Sequence, residues 1–173
     1  AVSSMGTDLL GRGLFDVGIS LAYLEDMQLR AAVVYDPVHV ELFHAIYGMG
    51  AYVNGKRIEP SKTSGIEEAV VSLDHAALRS KEVTALVEAA GQIRVTPVAA
   101  LELCYVACGR VDAALRHGAA FFDCAAGMLV AMEAGAMVTD GRGGAVSFNE
   151  YGQRCDVAAI APGLAEDFAR YYR

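Results

Sequence analysis

The carboxylate of Asp123 stands at the head of a long apolar run, FFDCAAGMLVAMEAG, which extends from Phe121 to Gly135. The run predicts a helix that is apolar on nearly every side and is therefore buried in a layered protein, and Gly135 predicts its end. Two roles for Asp123 agree with this position. A carboxylate in the first turn favours the positive end of the helix dipole and caps the helix, or it serves at the mouth of a site as a metal ligand that orients water.

A second candidate for chemistry is the pair Gly6 and Thr7, which precedes the short segment DLLGRG. A Gly-Thr pair at the start of a helix presents backbone N–H groups and a hydroxyl to a phosphate. A plain helix cap is the alternative interpretation of the same residues.

Other common catalytic patterns are absent from the sequence. It contains neither G-x-S-x-G nor G-x-G-x-x-G, and its four histidines are scattered. Asp74 and His75 could form a base and its orienting group, but no nucleophile lies near them in the sequence. Cys104 and Cys108 share a predicted helix face without a histidine to complete a zinc site.

Composition narrows the class of protein. Of the 173 residues, 54% are hydrophobic and 20% charged, and the net charge is −7, with a calculated isoelectric point near 5.0. The negative net charge argues against nucleic acid as a partner and is compatible with binding of a cation. No apolar run reaches the roughly 18 residues of a membrane span, so we expect no membrane insertion. Unpaired cysteines and the absence of a signal sequence predict a cytoplasmic protein.

The order of elements predicts an α/β protein in two parts. Residues 1–62 are predicted to form an antiparallel meander with a hairpin turn at Asn54-Gly55. In residues 63–173, predicted strands and helices alternate in the order βαβαβαββα. Such alternation favours a largely parallel or mixed sheet covered by helices.

Three segments in this order resemble the inositol monophosphatase family of magnesium-dependent, lithium-sensitive phosphatases: VVYDPVHVELFHAIYGMGAYVNGKRI, ALELCYVACGRVDAAL and FFDCAAGMLVAMEAGAMVTDGRGG. The resemblance implies a layered α/β/α/β/α sandwich, a small phosphorylated polyol or sugar as ligand, Mg²⁺ as cofactor and a homodimer. The family motif W-D-x-A-A-G corresponds to Phe122 to Gly127, so Asp123 takes the place of a metal-binding, water-orienting aspartate.

The chain also departs from the family pattern. The family motif D-P-[IL]-D-G-T falls on Val2 to Thr7, where Val2 and Met5 replace both aspartates while Gly6 and Thr7 remain. Arg116 replaces a polyol-binding glutamate and supplies a fork of donors for a phosphate or carboxylate. The substrate-contacting segment G-[ST]-A-A becomes Pro97-Val98-Ala99-Ala100, and the family's metal-binding glutamate belongs to a helical segment that would precede residue 1.

The resemblance therefore leaves two hypotheses. In the first, the protein is a magnesium-dependent phosphomonoesterase in which Thr7 and Asp123 are catalytic, Asp123 binds the metal, and Gly6, Thr7 and Arg116 bind substrate. In the second, it is a catalytically inactive homologue that acts as a binding or structural subunit, because Asp123 alone cannot bridge two ions.

Overall fold

The first sheet is the antiparallel meander expected from the sequence. The computed structural model describes residues 2–6, 11–146 and 153–172. Six antiparallel strands follow one another in chain order, each paired with the next: β1 (Val2–Met5), β2 (Gly18–Glu25), β3 (Gln28–Asp36), β4 (Glu41–Ile46), β5 (Ala51–Val53) and β6 (Lys56–Arg57). Asn54 and Gly55 both have positive φ, which confirms the predicted hairpin turn between β5 and β6.

The second sheet is mixed and comes from the alternating part of the chain. Its strands are β7 (Val70–Leu73), β8 (Gln92–Val95), β9 (Ala113–Ala120), β10 (Met137–Thr139) and β11 (Arg154–Ile160). They lie in the order β10-β11-β9-β7-β8, with β7 parallel to both β8 and β9 and the remaining pairs antiparallel. The helices are α1 (His75–Leu78), α2 (Thr84–Ala89), α3 (Ala99–Ala107), α4 (Phe121–Ala134) and α5 (Ala165–Tyr171).

Two apolar clusters hold these elements in layers. One cluster joins the inner face of the first sheet to α3, α4 and one face of the second sheet, with Phe43, Leu103 and Val157 among its members. The other joins the opposite face of the second sheet to the outer helices, through Leu115, Phe168 and their neighbours. The described residues thus supply four successive layers, sheet, helices, sheet, helices, which confirms the layered α/β class.

The outer face of the first sheet is apolar and open. Alternate residues of β2 point outward, and Ile19, Leu21 and Tyr23 are between 49% and 59% exposed. The fifth, helical layer of an α/β/α/β/α sandwich would lie against this face. Among the described residues, no helix is long and apolar enough to cross a bilayer.

Helix α4 is the buried helix that the sequence predicts, and it packs closely on α3. A Cβ atom built at Gly127 would lie 2.7 Å from the carbonyl oxygen of Ala100 and 2.8 Å from Cβ of Leu103. Gly135 ends the helix in the left-handed conformation, with φ of 100°. Near that end, the carboxylate of Glu133 accepts hydrogen bonds from the backbone N–H groups of Gly48 and Gly50, which tie α4 to the β4–β5 turn.

We expect Gly127→Ala to lower the free energy of unfolding by about 1–3 kcal/mol, because the added methyl group meets a backbone carbonyl that cannot move without separating the helices. Urea denaturation followed by circular dichroism measures this change. Gly11→Ala is the matched control, since nothing lies within 4 Å of its Cβ position. Equal stability of the two variants would show that the α3–α4 contact is not tight.

Candidate functional site

Asp123 lies in the first turn of α4, next to strand β1. Its Oδ1 accepts a hydrogen bond from the Ser3 hydroxyl at 2.5 Å, a length typical of a hydroxyl bound to an ionised carboxylate. Ala120 begins the helix without a side-chain cap. The carboxylate therefore points at the strand where the family motif would supply aspartates, and in this chain that strand carries Val2, Ser3, Ser4 and Met5.

The two residues that replace the family aspartates lie on opposite sides of β1. Val2 is 70% exposed, whereas Met5 is 8% exposed and belongs to the central apolar cluster. Neither side chain can ligate a hard cation such as Mg²⁺. Among the described residues of β1, only the hydroxyl of Ser3 is bonded to Asp123.

Gly6 continues β1 into a sharp turn. Its φ is +78°, and a Cβ atom at this position would lie 1.6 Å from the carbonyl oxygen of Asp16, so only glycine fits. Thr7 and the helical segment predicted after it lie outside the described residues. The Gly-Thr phosphate site thus remains a prediction, and the close contact at Gly6 is with the chain's own Asp16 carbonyl.

Arg116 is on β9 and is almost fully buried, with 1% of its surface exposed. Its guanidinium donates to the Ser72 hydroxyl at 2.9 Å and to the Leu115 carbonyl at 3.3 Å, while Nε has no partner among the described residues. Burial lowers the pKa of Arg116, and the charges of Glu102 and Asp74 oppose this shift. Its substrate-binding role stays a prediction, because the described side chains enclose it.

A polar cluster that no sequence motif indicates forms around Asp36. Tyr105 on α3 donates to Asp36 Oδ2 at 2.6 Å, and His39 Nδ1 lies 2.7 Å from the same oxygen. Asp36 Oδ1 accepts from the backbone N–H groups of Val38 and His39. Asp36 is 1% exposed, so these hydrogen bonds take the place of those that its carboxylate would make to water.

A second ion pair extends this cluster. Both terminal nitrogens of Arg110 donate to the carboxylate of Glu41, each at 2.6 Å. The Arg110 guanidinium also stacks on the ring of Tyr105, 5.3 Å from its centroid. One ligand atom from each of Asp36, His39 and Glu41 lies within 4.8 Å of the others, so the three residues could hold a metal ion together.

These contacts explain the protonation states of the cluster. Burial raises the pKa of Asp36, but the hydrogen bonds from Tyr105 and His39 outweigh it and hold the value below the usual 3.8. The bonds from Arg110 lower the pKa of Glu41. Burial, with the Asp36 hydrogen bond and charge, raises the pKa of the Tyr105 hydroxyl. Both carboxylates are therefore ionised at neutral pH while the phenol keeps its proton.

The cluster faces a cavity of about 410 Å³. Twelve residues line it: Phe15, Asp16, Asp36, His39, Arg94, Thr96, Val98, Leu101, Glu102, Tyr105, Arg110 and Val111. Asp123, Gly6 and Arg116 are not among them. The structure thus separates two polar regions, one at Asp123 that the sequence indicated and one at Asp36 that it did not.

Comparisons with known proteins agree on one family. A model described as the inositol monophosphatase family matches residues 12–172. A Thermotoga maritima protein named fructose-1,6-bisphosphatase/inositol-1-monophosphatase is 37% identical over 136 residues, which are 78% of this chain and 53% of that protein. A Xylella fastidiosa protein named Nus factor SuhB is 37% identical over 147 residues, 80% of this chain and 53% of that protein.

A solved structure extends the likeness to the fold. The extragenic suppressor protein suhB from Bartonella henselae superposes with a TM-score of 0.88 at 30% identity, covering 99% of this chain and 70% of that one. The chain spans about half the length of each of these two curated relatives.

Tyr105→Phe should raise the apparent pKa of Asp36. The hydrogen bond from the Tyr105 hydroxyl does most to lower this pKa, and without it burial disfavours the charged carboxylate more strongly. A depressed carboxyl pKa gives stability that is present above the unfolded value and is lost as pH falls through the folded value. The variant should therefore unfold in acid at a higher pH than the wild type. It should also lose about 1.5–3 kcal/mol of unfolding free energy at pH 7.

Tyr23→Phe is the matched control, since its ring is 59% exposed on the outer face of the first sheet. Acid titration of near-ultraviolet circular dichroism compares the two variants with the wild type. Coincident acid transitions for all three proteins would contradict the role assigned to the Tyr105–Asp36 bond.

Proposed function

Because the chain belongs to the inositol monophosphatase family, we propose that it acts on a small phosphorylated polyol or sugar as a magnesium-dependent phosphomonoesterase. The observation that carries this proposal is the position of Asp123. Its carboxylate projects from the first turn of a buried helix toward β1, which ends at Gly6, the glycine that the family resemblance assigns to phosphate binding.

The proposed roles follow from the chemistry of each group. Asp123 would hold Mg²⁺ and orient the attacking water, while the backbone at Gly6 and the hydroxyl of Thr7 would receive the phosphate oxygens. A bound Mg²⁺ supplies positive charge against the phosphate and makes water a stronger nucleophile. The Ser3 hydroxyl donates a hydrogen bond to one oxygen of Asp123. When Mg²⁺ binds, this hydroxyl must move away or bind beside the ion.

The donors present fit one ion and not two. Mg²⁺ is commonly held by one or two carboxylates together with phosphate and water, a requirement that Asp123 can meet with a bound substrate. A two-metal site needs further carboxylates close by, and among the described residues of β1 there are none. We therefore assign no step of the reaction to a second ion.

A second candidate function rests on this same lack of carboxylates in the described residues of β1. With Val2 and Met5 in place of aspartates, and with Ser3 satisfying Asp123, the chain would serve as a catalytically inactive binding or structural subunit. The relative named Nus factor SuhB supports testing a role other than hydrolysis.

Arg116 bears on the class of substrate. A buried cation without an ion pair among the described residues is costly, and an anionic group placed near it would offset part of that cost. The Thermotoga maritima relative has fructose-1,6-bisphosphatase in its name, which supports including sugar bisphosphates beside inositol and sugar monophosphates as substrates.

The first test is release of inorganic phosphate from inositol 1-phosphate, fructose 1,6-bisphosphate and simple sugar phosphates, with and without Mg²⁺. We expect phosphate release to require Mg²⁺ and its rate to fall by at least about 100-fold in Asp123→Asn. Removing a metal ligand should lower activity more than removing a group that only orients a ligand. Asp140→Asn is the matched control, because the bonds of the Asp140 carboxylate to described residues all lie within its own glycine turn.

Calorimetry with Mg²⁺ separates the two candidates. Turnover with weak single-site binding supports the phosphomonoesterase described above. No turnover across the substrates, together with no binding tighter than millimolar, rejects it in favour of the binding or structural subunit. Tight binding of two ions would contradict both.

We also propose that the protein is a homodimer, as the family resemblance implies. Sedimentation equilibrium should give twice the mass of the 18.3 kDa chain. A single species at the monomer mass over micromolar concentrations would refute this.

A further inference from the structure

At the cavity beside Tyr105, the lining residues Asp36 and His39 lie next to Glu41 and form with it a donor set of a different kind from that around Asp123. We propose that Asp36, His39 and Glu41 bind a divalent transition-metal ion that favours imidazole, such as Zn²⁺ or Co²⁺, and that Arg110 competes with the ion for Glu41. This inference is independent of the proposed phosphatase activity, because it involves none of the residues to which that activity is assigned.

The fold brings three possible ligand atoms close together. Asp36 ends β3, Glu41 begins β4, and His39 lies in the turn between them, with the three ligand atoms within 4.8 Å of one another. An ion about 2.0–2.2 Å from each ligand atom can bind atoms up to roughly 4.4 Å apart. Shifts of a few tenths of an ångström would therefore complete the site.

The site is largely preorganised before an ion arrives. Two backbone N–H groups fix Asp36 Oδ1, while Oδ2 accepts from the Tyr105 hydroxyl and lies 2.7 Å from His39 Nδ1, so an ion at Oδ2 must share or displace these bonds. The His39 side chain is 60% exposed at the cavity, whose volume admits water molecules as further ligands. Open positions of this kind are typical of metal sites that exchange with solvent.

The mixture of donors selects the class of ion. Imidazole suits zinc, cobalt, nickel and copper, whereas magnesium prefers oxygen donors and keeps much of its water. A set of two carboxylates and one imidazole thus favours a transition metal over the Mg²⁺ proposed for Asp123.

A separate observation concerns a buried carboxylate oxygen of Glu102, which also lines this cavity. Glu102 is 2% exposed, and it lies one helical turn before Tyr105 on α3. Its Oε1 accepts from Arg94 at 3.1 Å, but its buried Oε2 has no partner among the described residues. An unpaired buried carboxylate oxygen is costly, so a cation bound in the cavity would be favoured electrostatically.

Arg110 limits the affinity of this site. Its two bonds to Glu41 already neutralise that carboxylate, and its charge repels an incoming cation. The ion must therefore displace or share Glu41 with the guanidinium. Removal of Arg110 should free the ligand and strengthen binding, a result opposite to that expected if Arg110 only stabilised the fold.

The test is titration of the full chain, with its thiols kept reduced, with Co²⁺, followed by visible absorption and calorimetry. The wild type should bind one ion at this site, His39→Gln should bind at least about tenfold more weakly, and Arg110→Gln about tenfold more tightly. His75→Gln is the matched control, because His75 is an exposed histidine on α1, outside the cavity.

Unchanged Co²⁺ affinity in His39→Gln, or no tightening in Arg110→Gln, would overturn the proposal. Far-ultraviolet circular dichroism establishes that each variant is folded. Arg110→Lys serves if Arg110→Gln is not folded, since a lysine cannot bind both oxygens of Glu41 and should give an intermediate gain in affinity.

Discussion

The close contact between α3 and α4 at Gly127 is the constraint on which the rest of the structure depends. Because glycine has no side chain, the carbonyl of Ala100 approaches α4 within a distance that any other residue would block. The two helices can then form a thin layer, and both sheets pack against it. A helix with no polar face needs apolar partners on all sides, and this arrangement supplies them.

Polar groups in this helical layer are confined to its borders. Asp123 is in the first turn of α4 and Glu133 near its end, and each carboxylate has partners outside the helix. On α3, Tyr105 and Glu102 face the cavity at the side of the layer. Arg116 lies outside this layer, on β9, and its Nε has no partner in the part of the chain that the structure describes. The chemistry of the chain is therefore concentrated where the buried layer meets the edges of the sheets.

The sequence predicted the elements better than it predicted the site. Apolar periodicity and turn residues identified the meander, the Asn54-Gly55 hairpin and the buried helix that ends at Gly135, because these depend on local backbone preferences. The order β10-β11-β9-β7-β8 was not predicted, since strand neighbours depend on tertiary packing. The division after residue 62 remains a prediction, and α3 and α4 share their apolar cluster with both sheets.

The cluster around Asp36 was missed for a related reason. Asp36 and His39 are three residues apart, a spacing that a turn brings together and that the sequence displays as Asp-Pro-Val-His. Tyr105 and Arg110 are each 69 residues from their partners, Asp36 and Glu41, and only the folded chain reveals these pairs. The carboxylate at Asp123 was found because its neighbours match a family motif, whereas its bond to Ser3 could not be read from any motif.

Strand β1 keeps its place in the fold with Val2 and Met5 at the two positions where the family resemblance implies aspartates. Strand β1 lies at the edge of its sheet and is held by backbone bonds to β2, which do not depend on side-chain identity. Met5 adds apolar contact where a carboxylate would need a cation, and Ser3 satisfies the charge of Asp123. The pairing of this edge strand therefore does not require carboxylates at positions 2 and 5.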